Sequence, residues 1–135
     1  MRKFFSFSFA VTLVVCGGVA SSIDLVEAHA GLKSSEPAAS SVLEQSPKEI
    51  VLNFGEAVEV SFGSIRLFDS NSQSVVLPKP KFVEANGAID AKTIRVEIPE
   101  LQSGSYLVVW RVVSADSHPV QGAFAFQIGT KGLNL

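Results

Sequence analysis

Apolar and polar side chains alternate along most of the chain beyond residue 48. In residues 93–98 every second side chain is apolar, and the residues between them are polar or charged. A repeat of two residues is typical of a β-strand that buries one face. Shorter signals of the same kind predict further strands in residues 51–54, 64–69 and 123–128.

The segment 105–114 is apolar on both of its faces. One face carries Tyr106, Val108, Trp110 and Val112, and the other carries Leu107, Val109 and Val113. A strand of this kind is typical of a central position with packing on either side. We therefore predict a central strand that is covered on both faces, and we assign Trp110 to the core.

Turn-forming residues separate these segments at regular intervals. Asp, Asn, Ser, Pro and Gly fall at 69–72, 78–80, 86–87 and 103–104, where they favour turns. Residues 34–41 are polar and are predicted to form a loop, and no helical periodicity of useful length follows them. Six or seven short strands with turns between them predict an all-β fold of the β-sandwich type.

The segment 101–106 adds one detail to this sandwich. Tyr106 begins the central strand after a Leu-x-x-Gly turn. This is similar to the tyrosine corner of immunoglobulin-like sandwiches, in which the hydroxyl bonds to backbone a few residues upstream. The alternative is a buried strand tyrosine without that bond.

The N-terminal segment has the organisation of a secretory signal peptide. Arg2 and Lys3 precede an uncharged apolar run, residues 4–20, and a polar stretch then leads to Ala28. The run is slightly short for a membrane-spanning helix of about 20 residues. We predict export, a signal peptide over 1–28 and one domain over 29–135. Cleavage after Ala20 and an uncleaved N-terminal anchor are the alternatives.

Composition narrows the function classes. The chain has 135 residues and a net charge of −2, which leaves room for one domain and provides no basic surface for nucleic acid. Its one cysteine and one methionine, Cys16 and Met1, both lie in the predicted signal peptide. The exported part therefore offers neither a disulfide nor a sulfur ligand.

Only two histidines occur in the chain, His29 and His118, and both fall at suggestive positions. Asp116 and His118 are two residues apart, so in extended backbone they point to the same side, roughly 6–7 Å apart at Cα. Pro119 keeps His118 away from the helical region. Taken alone, this pair is more typical of a turn with a hydrogen-bonded histidine than of a metal site.

Cleavage after Ala28 would change the chemistry of His29. The free α-amine and the imidazole Nδ1 of His29 would then close a chelate ring on one metal ion. Together with His118 and Asp116 they offer three nitrogens and an oxygen, a set that suits tetragonal Cu(II). Zn(II) can accept the same atoms tetrahedrally and is the alternative metal. Because the amine must lose its proton, affinity should fall below about pH 7.

Two segments carry a resemblance to a known family. The segment HAGLKSSEPA at 29–38 and the pattern WRVVS-x-D-x-HP-V-x-G-x-F-x-F within 101–129 resemble the CopC family of exported copper-binding proteins. The resemblance implies a Greek-key β-sandwich that binds Cu(II) through an N-terminal histidine brace. It implies His29, His118 and Asp116 as ligands.

The same resemblance implies the remaining expectations. Glu56, after an early strand, matches an acidic group that some members place beside the metal; a solvated glutamate is the alternative. The family implies a non-enzymatic, monomeric carrier or buffer, exported to the periplasm or the extracytoplasmic face, that serves copper resistance or homeostasis. Its implied partner is an inner-membrane transporter of the CopD type. A non-metal immunoglobulin-like interaction module and a histidine-brace copper oxidase are the alternatives in other functional classes.

The sequence also departs from the family in three places. Ser117 stands where members commonly have glycine, and Gly31 stands where many have another histidine. The methionine-rich loop of members with a Cu(I) site is absent from the sequence. Ser117 is small and should not block the site, and Gly31 removes one additional N-terminal ligand. The absence of the methionine-rich loop argues against Cu(I) binding by this protein.

Overall fold

The computed structural model describes residues 31–61 and 64–129, and every regular element in these ranges is a β-strand. The predicted signal peptide over 1–28 and the predicted ligand His29 lie outside the described residues. Across the described ranges, no helix long and apolar enough to cross a membrane is present. The all-β prediction is confirmed.

Ten strands follow one another along the described chain. They are β1 (Leu32–Glu36), β2 (Val42–Leu43), β3 (Glu49–Phe54), β4 (Val58–Glu59), β5 (Ile65–Phe68), β6 (Ser74–Val75), β7 (Lys81–Ala85), β8 (Ala88–Glu97), β9 (Gly104–Ser114) and β10 (Pro119–Ile128). Three of them, β2, β4 and β6, have only two residues. The seven longer strands match the predicted number.

The strands form two sheets. The first has the order β1-β3-β8-β7, and the second has the order β2-β10-β9-β5-β6, with β4 pairing β9 beside this path. All pairs are antiparallel except β2 with β10. Buried side chains from both sheets form one apolar core, so the predicted β-sandwich is confirmed.

The alternating positions supply this core as the sequence predicts. Ile94, Val96 and Ile98 are buried, and the neighbours Arg95 and Glu97 are exposed. The tyrosine corner is also present, because the Tyr106 hydroxyl donates a hydrogen bond to the backbone oxygen of Gln102 at 2.7 Å.

An aromatic pair joins the two sheets. Phe54 at the end of β3 meets Trp110 of β9 edge to face, with ring centroids 5.2 Å apart. Gly122 lies opposite Trp110 on β10, and a Cβ at Gly122 would approach the indole ring to 2.6 Å. The glycine of the family pattern therefore makes room for the tryptophan.

Two sequence predictions were wrong. The outer face of β9 is uncovered, and Leu107 there is 41% exposed; Val109 and Val113 are half-buried. Residues 34–36 belong to β1 and not to a loop, since they pair with β3. A polar edge strand of this kind is held by backbone hydrogen bonds, which leave no apolar pattern.

Candidate metal centre

A short turn between β9 and β10 carries the exposed acid and imidazole. The Ser114 amide donates to the His118 carbonyl at 2.9 Å, and the Ser117 amide donates to the Ser114 carbonyl at 2.9 Å. Ser117 has a φ of 68°, the left-handed region that glycine adopts without steric cost. This geometry explains why glycine suits position 117 and shows that serine can occupy it.

The turn brings Asp116 and His118 together. The His118 Nδ1 lies 3.1 Å from the Asp116 Oδ2. Both side chains are largely open to solvent, with 78% of the His118 side chain and 54% of the Asp116 side chain exposed. Because Nδ1 faces the carboxylate, Nε2 is the ring nitrogen that remains to bind a metal ion.

The Asp116 carboxylate is held in its ionised form. A hydrogen bond from the Ser114 hydroxyl lowers the pKa of Asp116, and the neighbouring His118 lowers it further. Hydrogen bonds to a carboxylate favour its charged form. Asp116 is therefore an anion at neutral pH and can attract a cation to this end of the molecule.

A second segment meets this end of the sandwich. Val58 of β4 is the pairing partner of Ser114, and Gly55, three residues earlier, donates a backbone hydrogen bond to Gly31 at 3.1 Å. The chain from Gly55 to Val58 thus crosses from the first sheet to the second. Glu56 lies in this crossing and is half-buried. The start of the described N-terminal arm and the hairpin are tied to the same short segment.

The described residues do not complete a metal site by themselves. Within 31–61 and 64–129, no three His, Cys, Asp or Glu side chains form a group able to hold a metal ion. Asp116 and His118 supply one nitrogen and a carboxylate. A metal bound there needs further donors, and the predicted donor His29 lies outside these ranges.

Sequence reasoning missed Ser114 as part of this centre. Ser114 is one of two buried polar residues among the described residues, with 3% of its surface exposed. The signal was present in the sequence, because Ser114 continues the inward-facing series of Tyr106, Val108, Trp110 and Val112. A serine at an inward position needs a hydrogen-bond partner, and here that partner is the Asp116 carboxylate.

Comparison with known proteins identifies similar chains. A family model described as the CopC domain matches residues 32–129. The chain is 35% identical over 104 residues to Copper resistance protein C of Escherichia coli, covering 75% of this chain and 82% of that one. It is 34% identical over 121 residues to Copper resistance protein C of Pseudomonas syringae pv. tomato, covering 87% and 93%.

A third relative is much longer than the segment it shares. Copper transport protein CutJ of Bacillus subtilis (strain 168) is 33% identical over 102 residues, which are 76% of this chain but only 18% of CutJ. The chain thus corresponds to less than a fifth of that protein. The shared segment is one part of a larger polypeptide there.

Two solved structures have a similar fold. The crystal structure of CopC from Methylosinus trichosporium OB3b superposes with a TM-score of 0.66 and 34% identity, covering 79% of this chain and 99% of that one. The crystal structure of PcoC, a methionine-rich copper resistance protein from Escherichia coli, gives a TM-score of 0.60 and 34% identity, covering 76% and 100%.

Proposed function

Because the chain belongs to the CopC family, we propose that it is an exported copper-binding protein of copper resistance or homeostasis, and that it carries or buffers one Cu(II) ion. The observation that carries this proposal is the Asp116–His118 pair, 3.1 Å apart on an exposed hairpin. An anionic carboxylate beside an imidazole with a free Nε2 is a suitable half of a copper site.

The other half of the proposed site is His29. Its α-amine and imidazole Nδ1 would bind the same ion once Ala28–His29 is cleaved. The hydrogen bond between Gly55 and Gly31 supports this arrangement, because His29 is two residues from Gly31 and two extended residues reach roughly 7 Å. Glu56, next to Gly55, is proposed as an acidic neighbour of the ion and not as a required ligand.

The donor set favours Cu(II) over Cu(I). Nitrogen and oxygen donors suit Cu(II), while thiolates and thioethers select Cu(I). Residues 29–135 contain neither cysteine nor methionine. A binding protein that holds only Cu(II) has no need to change the oxidation state of its cargo, and we propose that it is not an enzyme.

The proposed location and partner follow from the family. We propose that the protein works in the periplasm or on the outer face of the cytoplasmic membrane, as a monomer. We also propose that it exchanges copper with a membrane transporter of the CopD type. The CutJ relative supports a link between this domain and transport, since a similar segment forms part of a protein described as a copper transport protein.

The N-terminus provides the decisive test. Mass spectrometry of the exported protein should find His29 as the first residue, and Cu(II) titration followed by electron paramagnetic resonance should show one site with nitrogen ligands. The matched control is the same protein acetylated on the His29 α-amine, which removes the free amine as a ligand but keeps the imidazole. If the control binds Cu(II) as tightly as the mature protein, or if the exported protein begins elsewhere, the brace is absent.

A further inference from the structure

We infer that Ser114 is the positioning residue of the copper site: its buried hydroxyl fixes the Asp116 carboxylate, and through it the His118 ring, in the geometry that receives the ion. The inference rests on the proposed function, because it concerns the same site. It assigns a role to a residue that supplies no ligand atom.

Ser114 is anchored to the rigid part of the molecule. It is the last residue of β9 and is 3% exposed. Its backbone is bonded on both sides of the hairpin, to His118 and Ser117, and it pairs with Val58 of β4.

The side chains of Asp116 and His118, in contrast, are largely exposed. An exposed side chain samples several rotamers, and fixing it on binding costs conformational entropy. The Ser114 hydroxyl donates to the Asp116 Oδ1, so the second oxygen, Oδ2, is presented to the His118 Nδ1 at 3.1 Å. The chain of contacts therefore runs from the buried serine to the carboxylate and then to the imidazole.

The direction of the first hydrogen bond follows from the chemistry. An ionised carboxylate only accepts hydrogen bonds, so the single hydroxyl proton of Ser114 points at Asp116. The Ser114 Oγ also lies 3.1 Å from the His118 carbonyl, but the charged acceptor is the stronger one. Loss of this hydroxyl releases one end of the carboxylate while both proposed ligands remain in the chain.

The experiment compares Ser114→Ala with a matched control, Ser64→Ala, in the mature protein that begins at His29. Ser64 is the other buried serine, 7% exposed, and its Oγ accepts a hydrogen bond from the Ser61 amide at 2.8 Å. Cu(II) affinity is measured by competition with a chelator. Electron paramagnetic resonance reports the ligand geometry, and thermal unfolding reports the fold.

Ser114→Ala should lower Cu(II) affinity by about tenfold, the lower end of what groups supporting a metal ligand contribute, and should change the copper hyperfine splitting. Ser64→Ala should leave affinity and spectrum unchanged. Ser114→Thr, which keeps the hydroxyl, should restore both. A lower Tm of Ser114→Ala with unchanged affinity and spectrum would overturn the inference, as would a Ser114→Thr variant that behaves like alanine.

His118→Ala separates this inference from the proposed function. If His118→Ala loses tight Cu(II) binding and Ser114→Ala does not, the copper site stands and the role of Ser114 is wrong. If His118→Ala binds Cu(II) as well as the mature protein, the proposed site itself is wrong, and the inference falls with it.

Discussion

Asp90 on β8 and Asp116 in the β9–β10 hairpin both have a lowered carboxyl pKa, but their neighbouring groups differ. The pKa of each is lowered, and in each the largest cause is a hydrogen bond from a hydroxyl, Thr93 for Asp90 and Ser114 for Asp116. A lowered carboxyl pKa is therefore not evidence of a binding site in this molecule. The groups beyond the hydroxyl decide what each aspartate does.

The Asp90 carboxylate uses both oxygens for hydrogen bonds within β8. Pairing between β7 and β8 jumps from Phe82–Ile94 to Val83–Asp90, so residues 91–93 have no partner on β7, although Thr93 still pairs with Asn53 of β3. The Asp90 carboxylate accepts from the Lys92 amide at 2.9 Å and from the Thr93 hydroxyl at 2.7 Å. Both Asp90 oxygens are thus used by donors next to this irregularity in the sheet.

The Asp116 carboxylate, in contrast, remains accessible to solvent. One oxygen accepts from Ser114, and the other faces an imidazole that is itself 78% exposed. This arrangement holds the carboxylate in place and leaves lone pairs and a ring nitrogen directed at solvent. A carboxylate that is held by one hydrogen bond is thus a candidate ligand where its other oxygen contacts a group that can also bind a metal.

The largest expected difference between the two aspartates is in copper binding. Asp116→Ala should lower Cu(II) affinity by at least the roughly tenfold to hundredfold loss that follows removal of a group supporting a metal ligand. Asp90→Ala should leave it unchanged, because both Asp90 oxygens are used within the sheet. Competition titration of both variants measures this; equal losses would remove the distinction drawn between them.

Copper binding and fold stability should depend on pH in different ranges. A free α-amine has an ordinary pKa of about 7.7–8.0, so Cu(II) affinity should fall by roughly tenfold or more between about pH 7 and pH 5. The lowered pKa values of Asp90 and Asp116 instead affect the stability of the fold at acid pH. Each carboxylate stabilises the fold above its unfolded pKa of about 4, and this is lost as pH falls through the lower folded pKa.

Thermal melts and copper titrations over the same pH series test this separation. Asp90→Asn should flatten only the acid limb of the Tm curve, below about pH 4. If Asp90→Asn also changed the pH dependence of copper binding, the two regions would not be independent.

Stability should respond at the bulge on β8 when its hydroxyl is removed. Thr93→Val deletes the hydrogen bond to Asp90 and should lower the free energy of unfolding by about 0.5–1.5 kcal/mol, as measured by chemical denaturation. Thr93→Ser retains a hydroxyl and is the control. Copper affinity should not change in either variant, and a change would show that the bulge contributes to the metal centre.

The smallest effect is expected at the backbone of the hairpin. Ser117 has a φ of 68° and Asn86, in the β7–β8 turn, has a φ of 53°. Ser117→Gly should raise the free energy of unfolding by about 0.5–1 kcal/mol, because relief of left-handed strain exceeds the added entropy of glycine. Asn86→Gly should gain less, since asparagine tolerates this region. A larger gain at Asn86 in denaturation experiments would contradict this reasoning.

Much of the fold could be predicted from the alternation of side chains. Ile94, Val96 and Ile98 are buried as expected, because a half-buried strand leaves a period of two in the sequence. The outer face of β9 was mispredicted because valine also occurs in strands for its fit to a pleated surface, and because single exposed apolar side chains are common on protein surfaces. An apolar residue in a strand, such as Leu107, is therefore not evidence that its face of the strand is buried.

The candidate site was only partly predictable for a related reason. The sequence indicates that Asp116 and His118 belong together, but they meet through the turn after β9, with Ser117 at a φ of 68°, and not through the extended backbone assumed from their spacing. The contribution of Ser114 depends on its burial at the end of β9, and the approach of the 55–58 segment depends on pairing with residues far along the chain. Contacts of this length leave no local pattern.

The crossing from Gly55 to Val58 is bonded to Gly31 at one end and to Ser114 at the other, so it forms only when residues far apart in the sequence are all available. The proposed ligands His29 and His118 are separated by about ninety residues of sequence. In the proposed export, with the N-terminus first, His29 would cross the membrane long before His118. A half-exported chain would therefore lack the proposed site, and copper loading would follow folding of the whole domain.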